Sequence, residues 1–568
     1  MDSVLLLTLR RLRRPLVLLV VVYAVGILGM VVIPGVDAAG NPAPMGFFHA
    51  FYFLSYTAST IGFGEIPSAF TDQQRLWVTI VIYMSVVAWA YTIGSVLTLV
   101  QDSGFRHALV EQSFRRRVQR LHEPFYIVCG YGETGALVCR TLDRWGLRFT
   151  VLDLNRDCVD AVDLAHYASD APALSADAGS PDHLLTAGLT NPSCRGVLAL
   201  TDDDAANLSV AITVRLLDPR VPVLARAMTR GVAANMKSFG TDHVVNPFQI
   251  FGEALATALE APATFRLIMR LSGLLRGSAG SEAPPPRGAW LVCGYGRFGR
   301  EVVDAFDRES LQVTIIDPVA SGSGQRFIRG VGTEEEPLLR AGVKEAVGIV
   351  AGTDHDVNNL SIAVTARELN PDLYVIARQN LRANHHLFEA FDADVTVVSA
   401  ELIAGRCLAI ISTPLLSPFL ALARQQPQDW ARELGDRLDR LNPTGSLSTW
   451  SVRLDTAEAP AVHAALVPGA AAPLIGDLLR SPSDRSEPLA CLPLLLRRDG
   501  RDHPLPAEDM PLARSDEILF AGRLRARRSQ QLTLANVNAL DYVRTGRDLP
   551  GGWIWQKLTR RNGQVGPA

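Results

Sequence analysis

The stretch TASTIGFGEIP, Thr57 to Pro67, decides how the first hundred residues fold. It follows FFHAFYFLSYT, Phe47 to Thr57, which is apolar and aromatic. At 1.5 Å per residue, about 11 residues cannot cross a hydrocarbon core of ~30 Å, so this segment is predicted to be a re-entrant helix. A non-helical backbone must follow it. In lipid such backbone is tolerated only where it is buried in protein or lines a watery path. Gly62 and Gly64 alternate with Ile61 and Phe63, and glycine reaches backbone angles closed to other residues. A strand alternating such angles turns successive carbonyls the same way. The carbonyls of Thr60, Ile61, Gly62 and Phe63, with the Thr60 hydroxyl, would then ring an axis. Such rings can replace the hydration shell of a cation. The partly negative C-terminal end of the re-entrant helix favours a cation as well.

Long apolar runs flank this segment. Leu16–Ile33 is free of charge for about 18 residues and Leu76–Val100 for about 25, each enough to span a bilayer. A cleaved signal peptide is the alternative for the first run. It lacks a clear small-residue cleavage site, and a second span follows soon after. Arg10, Arg11, Arg13 and Arg14 precede the first run, and Arg106, Arg115, Arg116, Arg117 and Arg120 follow the second; only Arg75 lies between. The positive-inside rule therefore places both termini in the cytoplasm and the Thr57 segment outside. The Arg115–Arg117 cluster reads equally as a solvated linker face or as a contact for anionic membrane lipid.

TASTIGFG resembles the selectivity filter of potassium channels, whose pattern is T-x-x-T-x-G-[YF]-G. The flanks also fit: span, pore helix, filter, span. The resemblance implies filter residues Thr60, Ile61, Gly62, Phe63 and Gly64, with K⁺ as permeant ion. There are two departures. Glu65 stands at the filter mouth where the family usually has Asp, which touches inactivation and conductance more than selectivity. The hinge glycine usual about 20 residues past the filter is replaced by Tyr83-Met84-Ser85, and Gly94 comes later. Gly94 permits either a bend of the inner helix or close packing between inner helices. One chain supplies one filter, so the pore must be an oligomer. The resemblance implies four copies, and cyclic symmetry is the natural arrangement.

From Pro124 the sequence becomes α/β. In PFYIVCGYGETGALVCRTLDRWGLRFTVLDLN an apolar strand meets Gly130, Gly132 and Gly135, and a second strand ends at Asp153. The glycines suit a tight turn, close approach of a phosphate, and helix-on-strand packing; the carboxylate sits where a ribose hydroxyl would be. One such motif is weak evidence, but this one recurs. AWLVCGYGRFGREVVDAFDRESLQVTIIDP carries Gly294, Gly296, Gly299 and Asp317 at the same spacing. GVLALTDDDAANLSVAITVRLLDP (Gly196–Pro219) aligns without a gap on GIVAGTDHDVNNLSIAVTARELNP (Gly348–Pro371), and the strand ending at Arg226 matches the one ending at Arg378. These segments predict two doubly wound, mostly parallel domains from an internal duplication.

Over residues 124–400 the chain resembles tandem RCK domains (regulators of potassium conductance, also called KTN domains). Trp450–Gly522 is similar to their small C-terminal subdomain. The expected fold is an α-helical two-span membrane pore with a re-entrant pore helix, then two tandem α/β Rossmann-like units and a small α+β subdomain. The expected boundaries are a pore at 1–104 (spans about 16–33 and 76–100, pore helix 47–57, filter 60–64) and a linker at 105–123. The first unit is placed at 124–246, a crossover helix and linker at 247–288, and the second unit at 289–400. A helical connector at 401–449, the subdomain at 450–526 and a tail at 527–568 complete the chain. Trp553 and Trp555 in the tail are read as covering an apolar surface.

The remaining polar motifs carry weaker signals. Asp202 and Asp204, matched by Asp354 and Asp356, read first as helix caps or loop residues, then as nucleotide contacts, and last as Ca²⁺ ligands. No metal beyond K⁺ is assigned. Arg297 in the second glycine loop suits a pyrophosphate, whereas Glu133 in the first does not. Asp153 and Asp317 favour a free ribose 2′-hydroxyl, hence NAD or an adenine nucleotide. An empty, purely structural crevice is the alternative for each. His385-His386 reads as a solvated helix end. The seven cysteines form no close pair and read as reduced core thiols. A net charge of −3 gives no sign of a nucleic-acid partner. Abundant Arg with scarce Lys points to a GC-rich bacterium, and hence to its inner membrane.

The reading that joins these parts is a ligand-gated potassium channel, not an enzyme: four pores above a ring of eight RCK units. One alternative is a membrane-anchored NAD-dependent oxidoreductase, which leaves TASTIGFG unexplained. The other is a regulatory subunit of a separate transporter, against which the filter in the same chain argues.

Overall fold

The apolar runs form long helices. In the computed structural model, which describes residues 2–37, 41–66, 68–272, 284–319, 326–442 and 447–547, α1 is Asp2–Val32 and α3 is Asp72–Gln101. Their apolar spans are Leu12–Val32 and Asp72–Gln101. Between them lies α2, Phe47–Ala58. A capping box starts α3: the Thr71 side chain accepts from the Gln74 amide while the Gln74 side chain accepts from the Thr71 amide. Small residues let α1 and α3 approach. The Trp77 ring lies where a Gly29 side chain would begin, 2.1 Å from an ideal Cβ, and its Nε1 donates to the Gly26 carbonyl at 3.2 Å.

The polar segment after α3 is itself helical. Asp102 ends α3 and caps α4, Ser103–Gln119, its side chain accepting from the Phe105 amide at 2.9 Å. Beyond Gly104 the segment lacks Gly and Pro and is rich in helix formers, which is why it does not stay a loop. Residues 1–121 form one unit and 122–568 another.

In the second unit, one six-stranded parallel sheet comprises β1 (Phe125–Cys129), β2 (Arg148–Asp153), β3 (Ala173–Ser175), β4 (Cys194–Ala199), β5 (Val223–Arg226) and β6 (His243–Val245), in the order β3-β2-β1-β4-β5-β6. A second comprises β7 (Ala289–Cys293), β8 (Gln312–Ile316), β9 (Arg326–Ile328), β10 (Gly348–Ala351), β11 (Tyr374–Gln379) and β12 (Val395–Val398), in the order β9-β8-β7-β10-β11-β12. Both are doubly wound, with the strand order reversing beside β1 and β7, where such sheets bind ligands.

The two halves exchange helices. Glycine-loop helices α5 (Glu133–Arg144) and α9 (Arg297–Arg308) follow β1 and β7. After β6, helix α7 (Pro247–Glu260) leaves the first sheet and sets Phe248, Phe251 and Leu255 into the core of the second, against Phe298 and Val302. After β12, helix α11 (Ser399–Ser412) returns the contact. Its Ile403, Ala404 and Cys407 complete the first core beside Val138 and Leu142 of α5. Gly252 allows this approach, since a Cβ there would stand 2.9 Å from the Glu301 carbonyl oxygen.

Three further helices, α8 (Pro262–Ser272), α12 (Leu416–Arg424) and α13 (Gln428–Leu441), pack on the C-terminal sheet. That sheet comprises β13 (Ser448–Arg453), β14 (Cys491–Arg498), β15 (Arg501–Pro504) and β16 (Glu517–Gly522), antiparallel in the order β13-β16-β14-β15. Helices α14 (Leu524–Ala535) and α15 (Val537–Thr545) then close its core with Leu534, Leu540 and Val543. Here the structure differs from the expected end at 526. Helix α14 crosses that boundary because Gln530 is buried between Trp450 and the Leu478 carbonyl, bonded to both. Trp553 and Trp555 lie outside the described residues.

Candidate pore lining and nucleotide crevices

The segment after α2 follows the alternation of its sequence. Thr60, Gly62 and Gly64 have φ of 63°, 70° and 90°. For a β-branched residue such as Thr60 that is a strained conformation. The segment is hooked to the helix before it. The Ile61 amide donates to the Tyr56 carbonyl at 2.9 Å, and the Tyr56 hydroxyl donates to the Gly64 carbonyl at 2.6 Å. The Tyr56 and Phe63 rings meet edge to face.

Glu65 is held from two sides. Its carboxylate accepts from Arg75 Nε at 2.9 Å and Nη2 at 3.2 Å, and from the Phe70 amide at 2.9 Å. Those bonds, Arg75 first, hold its pKa below the ordinary glutamate value. Ile61 and Phe63 are 60% and 58% exposed, so this segment presents apolar surface within one chain. Gly94 lies inside unbroken α3, and a Cβ there would meet nothing within 4 Å in the chain.

The two glycine loops are near copies. Gly130 and Gly294 take φ of 96° and 93°. An ideal Cβ on Gly135 or Gly299 would stand 2.1 or 2.0 Å from the carbonyl oxygen of Gly130 or Gly294. Gly132 and Gly296 begin α5 and α9 and face open space, leaving room for a close-approaching anion. Asp153 accepts from the Tyr131 amide at 2.6 Å and the Asn155 amide at 2.7 Å. Asp317 accepts from Tyr295 at 2.7 Å and Val319 at 2.9 Å. Each carboxylate therefore braces the middle of its own glycine loop.

The T-D-x-D segments adjoin these loops, with Asp202 and Asp354 in the loop just ahead of the following helix. Asp202 pairs with Arg226 at 2.5 Å and Asp354 with Arg378 at 2.7 Å, so neither is a helix cap. The cap in the first copy is Asp203; Asp204 accepts from the Met228 amide. Asp356 is buried and accepts from the amides of Asn380 and Leu381 and from the Asn384 side chain. In each copy an arginine reaching back from the next strand holds the loop aspartate. Sequence reasoning also missed the latch. Asn207 and Asn359 are buried, bonding the Thr201 or Thr353 loop on one side and the Arg226 or Arg378 carbonyl on the other. Their recurrence at equal spacing in both copies was the available signal.

The copies diverge at the first residue of each loop helix. The Glu133 carboxylate accepts from the Arg382 amide of the second half at 2.8 Å. Arg297 instead adds a positive charge that acts on Arg378, whose guanidinium lies over the Phe248 and Phe298 rings at 4.9 and 5.7 Å. Burial, more than any neighbour, pulls the Arg378 pKa below its ordinary value. A cavity of about 380 Å³ opens beside it, lined by Asp354, His355, Asn358, Asn380 and Asn384 among others.

The TrkA-N domain family matches residues 126–247 and 290–399, and the ion channel family matches residues 16–102. Potassium channel protein 1 of Methanocaldococcus jannaschii is 26% identical over 211 residues, covering 37% of this chain and 61% of that protein. The voltage-gated potassium channel Kch of Escherichia coli is 27% identical over 221 residues, covering 39% and 51%. This chain thus matches less than two thirds of either relative's length. The solved structure of a GsuK channel bound to NAD aligns over 94% of this chain and 100% of its own, with 17% identity and a TM-score of 0.44. The chain carries an ion-channel domain and, behind it, a tandem pair of TrkA-N domains.

Proposed function

We propose that this chain is a potassium-selective channel gated by a nucleotide bound to its TrkA-N domains. The observation that carries the reading is the left-handed backbone at Thr60, Gly62 and Gly64, set between a re-entrant helix and a span. Carbonyls of Thr60 to Phe63 and the Thr60 hydroxyl, contributed by four copies, replace the water around K⁺. Tyr56 and the Glu65–Arg75 pair hold the segment open. Within one chain only 17% of the apolar α3 window is buried, which supports assembly of four copies around an axis, with eight TrkA-N units in the cytoplasm. The channel sits in the cell membrane with both termini inside.

NAD or an adenine nucleotide in a glycine-loop crevice, its ribose at Asp153 or Asp317, shifts the pore by binding its open and closed forms unequally. The arginines of α4 rest against anionic lipid. The test is cation flux through the purified protein in liposomes, K⁺ against Na⁺, with NAD⁺, NADH, ADP, ATP and Ca²⁺ in turn. K⁺-selective flux altered by a nucleotide, and made insensitive by Asp153→Ala or Asp317→Ala, supports the reading. Absence of flux under every condition removes the channel. Flux with an unchanged ligand response in both variants removes the nucleotide sites.

A further inference from the structure

The two crevices share a plan and differ in the charge at one position. Both have the glycine turn, the open approach at the third loop position and the bracing aspartate. They differ by two units of charge at the first residue of the loop helix, Glu133 against Arg297. That position adjoins the exposed amides where a phosphate group would rest. A carboxylate there opposes the partial positive charge of the helix start for an incoming anion, and a guanidinium adds to it.

A second, independent feature lies at the same crevice. Arg378 is 7% exposed, and its Nε is buried without a hydrogen-bond partner although Nη1 reaches Asp354. Its guanidinium stacks over Phe298, the residue that follows Arg297 in α9. A buried donor with no acceptor costs free energy, which an oxygen anion brought within its reach would recover. Among the described residues the first crevice has no such donor. Its counterpart Arg226 has Nη1 on Asp202 and Nε on the Met228 sulfur. Glu133 is also spoken for, since it accepts from the Arg382 amide and draws the 381–384 segment of the second half to the start of α5.

We propose that the crevices are not equivalent: the second takes a nucleotide bearing a pyrophosphate, and Glu133 closes the first to such ligands. This rests on the nucleotide reading above and assigns its ligand class and its place. A diphosphate brings several oxygen anions to the α9 start, where Arg297 and Arg378 both contribute positive charge.

The experiment is calorimetric titration of ADP into the full-length chain in detergent, with size-exclusion profiles confirming that each variant is intact. One ADP per chain is expected for the wild type. Arg297→Glu should weaken binding by about tenfold or more, and Arg297→Lys, which keeps the charge, should stay within about threefold. Glu133→Arg should add a second binding event. Two equal events in the wild type, or an Arg297→Glu protein that binds like wild type, overturns the assignment while leaving nucleotide gating standing. No ADP binding by the wild type overturns the assignment and adenine-nucleotide gating together; the flux experiment still decides the pore.

Discussion

Tyr56→Phe isolates one bond that holds the segment proposed as the filter. The tyrosine hydroxyl donates to the Gly64 carbonyl at 2.6 Å, and its ring also meets Phe53 and Phe63 edge to face. Phenylalanine keeps the rings and removes the donor. The net worth of such a bond is ~1 kcal/mol. Four copies closing one ring would lose ~4 kcal/mol, or about a thousandfold in the balance between a braced and a collapsed filter at ~1.4 kcal/mol per tenfold. Thr60 sits in a strained backbone conformation, so the segment has a reason to relax once released. In liposome flux the variant should lose K⁺ over Na⁺ selectivity or run down within the assay, with the oligomer intact. Sustained flux at the wild-type K⁺/Na⁺ ratio would refute the view that Tyr56 keeps the filter open.

Gly299→Ala should destabilise the protein by about 1–3 kcal/mol or more, because its Cβ would meet the Gly294 backbone, which cannot step aside. Gly296→Ala faces open space and should leave the melting temperature nearly unchanged while weakening nucleotide binding; thermal scans and titration separate the two. Gly29→Ala drives a methyl into the Trp77 ring and should cost about 1–3 kcal/mol in helix packing, read as a lower melting temperature in detergent. Gly94→Ala meets nothing in the chain, so a change in its flux would report a bend or a contact between copies. Glu65 has a folded pKa below the ordinary 4.5, so its bonds to Arg75 and Phe70 are complete above that value and are lost only as external pH falls through the lower folded value. Flux should therefore be insensitive to this group between pH 7 and pH 5; a titration of flux centred in that window would show that Glu65 is not held as described.

Local features were legible in the sequence and distant ones were not. Gly62 and Gly64 announce left-handed backbone because few other residues go there cheaply, and Thr60 joined them only because its neighbours dictate the alternation. The duplicated glycine loops could be read because the spacing is short and occurs twice. The Asp202–Arg226 and Asp354–Arg378 pairs span 24 residues and need the strand order before they can be seen. Arg378 on the Phe248 ring, and Glu133 on the Arg382 amide, join residues more than a hundred positions apart, beyond any periodic signal. The segment after the second span reads as a linker because it is polar, and polarity alone does not say what secondary structure it takes. Capped by Asp102, it is a helix.

The exchange of α7 and α11 has a consequence for dissecting the protein. Each half lends a helix to its neighbour, so cutting the chain between residues 272 and 284 would yield fragments with wounds rather than domains. One would bare Phe248, Phe251 and Leu255, and the other Ile403, Ala404 and Cys407. Mixed together, such fragments should rescue each other, as two strangers that were once a single-copy ancestor shaking hands with itself. The tandem is in this sense a dimer written on one thread, and the thread allows its two faces to evolve apart.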